Sequence, residues 1–246
     1  MQIEVWSDFA CPFCYVGKRR LEAALEKFEH KNHIDVHYRS FELDPNAKKD
    51  YDHDVHDMLA AKYGMSREQA VQMNQNLGQQ AASVGLQFNF DTLVLTNTFD
   101  AHRLSHFAGH YGKRNEMTEL LLQAYFTDSK HLGDRETLLD LAAEAGLDRE
   151  EAAEALDSDR FTEAVRDEEN EANDLGIRGV PFYVINRKYA ISGAQSPETF
   201  LQALNQAWED ANPAKLVNAA GGDAGVCTDD GCAIDAADVN ADAKTK

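Results

Sequence analysis

The chain has 246 residues, enough for a large core, with the 43% hydrophobic and 27% charged content of a globular protein. Its 43 acidic against 24 basic residues give a net charge of −19, which excludes phosphate-rich nucleic acid and anionic membrane as partners. No run approaches the ~18 apolar residues of a membrane span, and no basic region followed by an apolar stretch precedes the first strand, so a cytoplasmic location is expected.

Residues 2–7, with Ile3, Val5 and Trp6, read as a buried strand. A helix over 12–30 follows, with Leu21, Leu25 and Phe28 on one face. Ile34, Val36 and Tyr38 alternate with polar residues, as in a second strand. The three make a βαβ unit. Helical patterns then fill more than a hundred residues. Ser66-Arg67-Glu68-Gln69 is a capping-box signature opening a helix to about residue 84. Further helices are predicted over 99–111 and 116–126, from the cap Asp134, from Asp148 and from Ser158. Strand patterns return at 182–186 and 189–192, joined at Arg187-Lys188, and a last helix opens with Pro197. Residues 211–246 are rich in Ala, Asp and Gly, cannot support a packed core, and read as a flexible acidic tail.

The order βαβ, helices, ββα defines an α/β protein: a thioredoxin fold with a large all-helical insertion. The thioredoxin-like domain is expected over 1–45 and 175–210, the inserted helical domain over 46–174, and the tail over 211–246.

Cys11-Pro12-Phe13-Cys14 lies at the junction of the first strand and helix. Unpaired N–H groups and the dipole at a helix start favour a thiolate, the nucleophilic form of cysteine. Cys11, at the helix start, is expected to be the exposed attacking thiol. Cys14, one turn in and more buried, is expected to resolve the mixed disulfide. Half a zinc site has the same spacing, but the other cysteines, Cys227 and Cys232, lie in the tail, and no metal is expected. Pro12 supplies a helical φ at the first position. Phe13 offers neither charge nor donor, which predicts a less oxidising pair than one with His there. Val180-Pro181, directly before the third strand, is a candidate for presenting an extended substrate beside Cys11; a cis bond there is expected by analogy of fold.

Four segments carry a resemblance: Trp6 to Gly17, Asn97 to Leu104, Gly176 to Phe182 and Ile191 to Gln195. Together they resemble the FrnE-type branch of the DsbA-like thioredoxin superfamily, over residues 2 to about 210. The resemblance implies a cytoplasmic dithiol–disulfide oxidoreductase or isomerase, with disulfide-bearing proteins or small thiols as substrates and helices over the active site. Some members carry a C-terminal C-x4-C, which Cys227…Cys232 matches, implying an accessory redox pair. The superfamily also includes 2-hydroxychromene-2-carboxylate isomerases and kappa-class glutathione transferases, which carry serine where Cys11 stands; a glutathione-dependent isomerase or transferase is the alternative. A binding module or chaperone that kept the fold is a third class. No resident cofactor is expected, glutathione is a candidate co-substrate, and a homodimer is a candidate assembly.

His102, His106 and His110 recur every four residues, and a polar helix face toward the groove is expected rather than a metal site. His102, within a shared motif, is a candidate substrate-binding residue. Asp52 to Asp57, bearing His53 and His56, reads as a solvated face.

Overall fold

The computed structural model describes residues 1–213, and the backbone of 227–228 and 231–232. Strand β1 (Gln2–Ser7) leads into helix α1 (Pro12–Lys27), and β2 (Asp35–Ser40) returns parallel to β1, with Ile3 opposite Val36. Seven helices follow: α2 (Val55–Tyr63), α3 (Arg67–Ala82), α4 (Phe99–His110), α5 (Arg114–Phe126), α6 (Arg135–Glu144), α7 (Arg149–Asp157) and α8 (Thr162–Asp174). The hairpin of β3 (Phe182–Ile185) and β4 (Tyr189–Ser192), then α9 (Pro197–Ala211), complete a unit that is compact from Met1 to Ala211. The sheet order is β2-β1-β3-β4, with β3 antiparallel to β1 and Ile3 opposite Ile185.

Alternation along β1 divides the core. Ile3 and Val5 pack with Leu21, Ala24 and Phe28 of the α1 region and with Phe200 and Leu204 of α9. Trp6 faces the other way, against Ala172, Ile177 and Val184. Buried between strands, Glu4 accepts from Arg39 and Arg187. The inserted helices form their own apolar cluster, and Phe9, Tyr15 and Val16 from the β1–α1 junction pack into it. The junction is therefore wedged between two cores.

A second polar node fastens the helices to the sheet. The buried Glu168 carboxylate accepts from the Ser40 N–H at 2.7 Å, from Arg114 at 2.7 and 2.9 Å and from Arg39 at 3.1 Å, with His106 Nε2 at 3.0 Å. Burial alone would raise its pKa, but His106 and Arg114 outweigh burial and hold the carboxyl far below the usual range.

Three local expectations need correction. Residues 55–63 are a helix rather than part of a solvated face: Asp54 accepts from the Asp57 N–H, and His56 turns inward, 3.1 Å from Asn74 and 3.0 Å from Asp91. Charged neighbours masked the apolar spacing of Val55, Met58 and Leu59. Ser158 does not open α8; it ends α7, and Phe161, at φ 66°, precedes α8. The Phe161 ring, 6.4 Å from Phe107 and 6.3 Å from His106, is the packing that holds this left-handed residue. The hairpin turns at Asn186 and Arg187, φ 50° and 54°, one residue earlier than expected. Its Lys188 N–H bonds the Ile185 carbonyl at 3.0 Å, and Ile185 pairs with Tyr189, which leaves a three-residue loop.

Among the described residues no helix is long and apolar enough to cross a membrane. In the tail, Cys227–Thr228 and Gly231–Cys232 pair antiparallel, with Cys227 opposite Cys232. The rest of the tail expectation, side chains included, lies outside the described residues.

Candidate active site

After β1 the Asp8 carbonyl accepts the Cys11 N–H at 3.1 Å, and the Cys11 carbonyl accepts the Cys14 N–H at 3.0 Å. Cys11 is thus the N-cap of α1, in extended conformation, with Pro12 in the first turn. Proline fits there because the missing N–H would have had no partner within the helix. Both cysteines are free thiols.

The sequence places Cys11 as exposed, and the structure corrects this. Cys11 is only 4% exposed and Cys14 2%. What separates them is access: Cys11 lines a cavity of about 710 Å³, and Cys14 does not. The cavity wall is built from the β1–α1 junction, the segment after β2, α2, α3, the segment before α4 and the end of α5. Pro12 and Phe13 also line it, and Phe13 is 43% exposed. Burial, and then the adjacent Cys11 sulfur, push the Cys14 thiol well above its ordinary range.

The Val180–Pro181 bond is cis. The Val180 carbonyl accepts from the Cys11 thiol at 3.5 Å, which brings two segments 169 residues apart together. Gly17 makes this approach feasible. A Cβ on it would overlap Tyr183 Oη and come within 3.1 Å of Pro181 Cγ and 3.4 Å of Ala194 Cβ. Glycine is required at that point because the helix backbone passes directly against the Pro181 loop.

Asp8 is the main residue that sequence reasoning missed. Its Oδ1 accepts from the Ala10 N–H at 3.1 Å and the Thr98 hydroxyl at 2.8 Å; its Oδ2 accepts from the Leu43 N–H at 2.7 Å. Burial raises its pKa, but nearby His102 and the Leu43 and Ala10 N–H groups together bring it below the ordinary value. One carboxylate thereby ties the dithiol loop to both segments that enter and leave the α2–α3 pair. An acid placed directly between a buried strand and a helix N-cap was the available signal.

His102 is not open to the cavity and is corrected as a substrate-binding residue. It is 2% exposed, lies 3.6 Å from Asp8 Oδ1, and packs its ring 4.6 Å from Phe9. The three histidines do not form the expected face: His106 serves Glu168, and His110 meets the edge of Phe161. Among the described residues no group of three potential ligands could hold a metal.

Residues 2–205 match the family described as the DSBA-like thioredoxin domain. The chain is 46% identical to a probable DsbA oxidoreductase, SCO1869, of Streptomyces coelicolor, with a TM-score of 0.83, 95% of this chain and 99% of that one covered. It is 30% identical to the uncharacterized protein YwbO of Bacillus subtilis, across 83% of this chain and 96% of that protein. In fold it is similar to 2-hydroxychromene-2-carboxylate isomerase, at 16% identity and a TM-score of 0.67, over 87% of this chain and 100% of that one.

Proposed function

The chain belongs to the DsbA-like thioredoxin family and is a thiol–disulfide oxidoreductase, and on that premise we propose that Cys11 and Cys14 carry the exchange. The observation that carries the assignment is the access difference: Cys11 meets the cavity and the Val180 carbonyl, and Cys14 lies behind it. The Cys11 thiolate attacks one sulfur of a substrate disulfide and displaces the other as a thiolate. A mixed disulfide with Cys11 results. Cys14 then loses its proton, attacks the Cys11 sulfur and releases the second substrate thiolate. Two electrons pass from the dithiol to the substrate, leaving Cys11–Cys14 as a disulfide. The high pKa of Cys14 owes part of its rise to Cys11. Conversion of Cys11 to a neutral mixed disulfide removes that part, while the larger rise from burial stays. Val180 and Pro181 wall the reacting sulfur and position the incoming disulfide. Pro12 and Phe13 border the entrance.

The proposed setting is the cytoplasm, with glutathione as a candidate co-substrate that returns the disulfide to the dithiol. Cys227 and Cys232 are proposed as an accessory redox pair. Their register supports this: the two short strands pair antiparallel with Cys227 directly opposite Cys232. Directly opposed residues of an antiparallel pair have Cα atoms about 4.5–5.5 Å apart, within the range a disulfide spans. The glutathione-dependent isomerase reading has fold similarity in its favour; the second sulfur at Cys14 favours exchange.

Insulin reduction by wild type and Cys11→Ser tests the assignment. Loss of activity in the variant is the expected result. An inactive wild type that binds glutathione saturably would favour the isomerase class.

A further inference from the structure

The cavity beside Cys11 is larger than disulfide exchange requires. Two sulfurs and their carbons need a slot, whereas about 710 Å³ is the volume of a pocket for a whole small molecule. Its wall is mostly hydrocarbon: Leu43, Val55, Met58, Leu59, Leu77 and Phe90 all contribute. Large apolar side chains continue to the surface, where Phe13, Leu43 and Tyr63 are exposed on its lining.

The polar groups of the wall decide what can enter. Thr98 donates to Asp8, Thr96 donates to the Lys49 carbonyl at 2.8 Å, and Asn74 bonds His56. The Tyr51 hydroxyl accepts the Lys48 N–H at 2.9 Å. Asp8 is already filled by three donors. These groups have protein partners, as does Asn76, which accepts from Gln72 at 3.1 Å, so that with the Gln80 amide also on the wall a peptide backbone threaded here would still leave most of its own N–H and C=O groups unmatched. Asp44 and Lys62 are the remaining charged residues of the wall, one of each sign. Glutathione, with two carboxylates and an ammonium, would be stripped of water against hydrocarbon.

We infer that this cavity holds the hydrocarbon group of a small apolar thiol or disulfide, placing its sulfur at Cys11. The inference rests on the exchange chemistry proposed above and names its substrate class. Cys11 attacks the alkyl-bearing sulfur, the other half leaves as a thiolate, and Cys14 releases the alkyl thiolate. Each buried methylene favours binding by about fourfold, so the rate rises with chain length until the cavity is full.

The test uses reduced full-length protein and mixed disulfides of 5-thio-2-nitrobenzoate with butanethiol, octanethiol and glutathione. Release of the coloured thiolate is followed in a stopped-flow instrument. Each rate is divided by that of dithiothreitol on the same compound, which removes intrinsic reactivity. The octyl compound is expected to react at least tenfold faster than the butyl and faster than the glutathionyl compound. A flat series, or glutathionyl as the fastest, overturns the inference. Leu77→Gln, with its fold checked by circular dichroism, is expected to flatten the series; an unchanged slope in a folded variant also overturns it. A Leu- and Phe-flanked cysteine peptide as its nitrobenzoate disulfide distinguishes the source: if it outruns the octyl compound, the occupant is polypeptide and the inference fails. Cys11→Ser tests the underlying exchange separately, since release that persists in that variant defeats the chemistry whatever the order of the series.

Discussion

Gly17→Ala tests whether the contact between α1 and the Pro181 loop sets the geometry at Cys11. The added methyl would overlap Tyr183 Oη and press on Pro181 Cγ at 3.1 Å. Tyr183 has little room to retreat: it is fully buried, with the Phe200 ring 4.7 Å away. Overpacking of this kind costs about 1–3 kcal/mol, and alanine returns roughly 1 kcal/mol through helix propensity. The net loss is then about 1 kcal/mol, or about 2–4 °C in Tm for a chain of this size. Activity should fall further than stability. The Val180 carbonyl sits 3.5 Å from Cys11 Sγ, on the loop that must move. A misplacement near 1 Å at reacting atoms costs on the order of 100-fold, so a shift of a few tenths should lower kcat/KM about tenfold. Thermal melts and insulin reduction measure the two effects. Tyr183→Phe provides the control, because the hydroxyl that clashes has no hydrogen-bond partner among the described residues. The single change should be nearly neutral, and Gly17→Ala with Tyr183→Phe should recover most of the loss. A Gly17→Ala variant with wild-type Tm and kcat/KM, or a double variant no better than the single, would refute the reasoning.

Cys14→Ser should stop turnover yet accumulate a mixed disulfide on Cys11, seen by mass spectrometry as the added mass of one substrate thiol; no adduct would reverse the assigned roles. Phe13→His places a cation donor beside the Cys11 thiolate at a half-exposed site. Such a contact is worth ~0.2–1 kcal/mol, which makes the pair more oxidising by roughly 5–20 mV in a glutathione redox titration. Glu168→Gln leaves Arg114, Arg39 and His106 without their carboxylate and should cost about 3–5 kcal/mol in urea unfolding at pH 7. Because the folded pKa of Glu168 is depressed, its contribution is complete above the unfolded value, about 4.3, and disappears as pH falls toward the folded one. The gap between wild type and Glu168→Gln should therefore narrow in acid; a gap that widens below pH 4 would contradict the assigned linkage.

The parts of this protein legible in its sequence are those decided within a few residues. The strand before Cys11, the proline at the helix start, the capping box at Ser66 and the proline opening α9 all follow from neighbours in the chain. The parts that were not legible depend on contacts across a hundred residues. Asp8 binds groups at 43 and 98, and nothing near it in sequence shows that. His102 and His106 share a spacing and a helix, but one turns to Asp8 and the other to Glu168. Helix α2 was hidden by its own charges, which its cap and solvent-facing positions absorb. The cavity has the same origin: its wall draws on six separate stretches, each ordinary when read alone.

The sheet order has a consequence for how the molecule is made. β1 takes β2 on one side, and on the other β3, which begins only at Phe182. At translation rates of about 5–20 residues per second, β1 and the dithiol wait on the order of ten seconds for that strand. During that interval the nascent chain carries reactive sulfur beside an unpaired strand edge, without the Pro181 wall. A ribosome stalled before Phe182 would therefore hold a chain whose dithiol is complete in sequence but lacks the Pro181 wall and the β3 partner that position it.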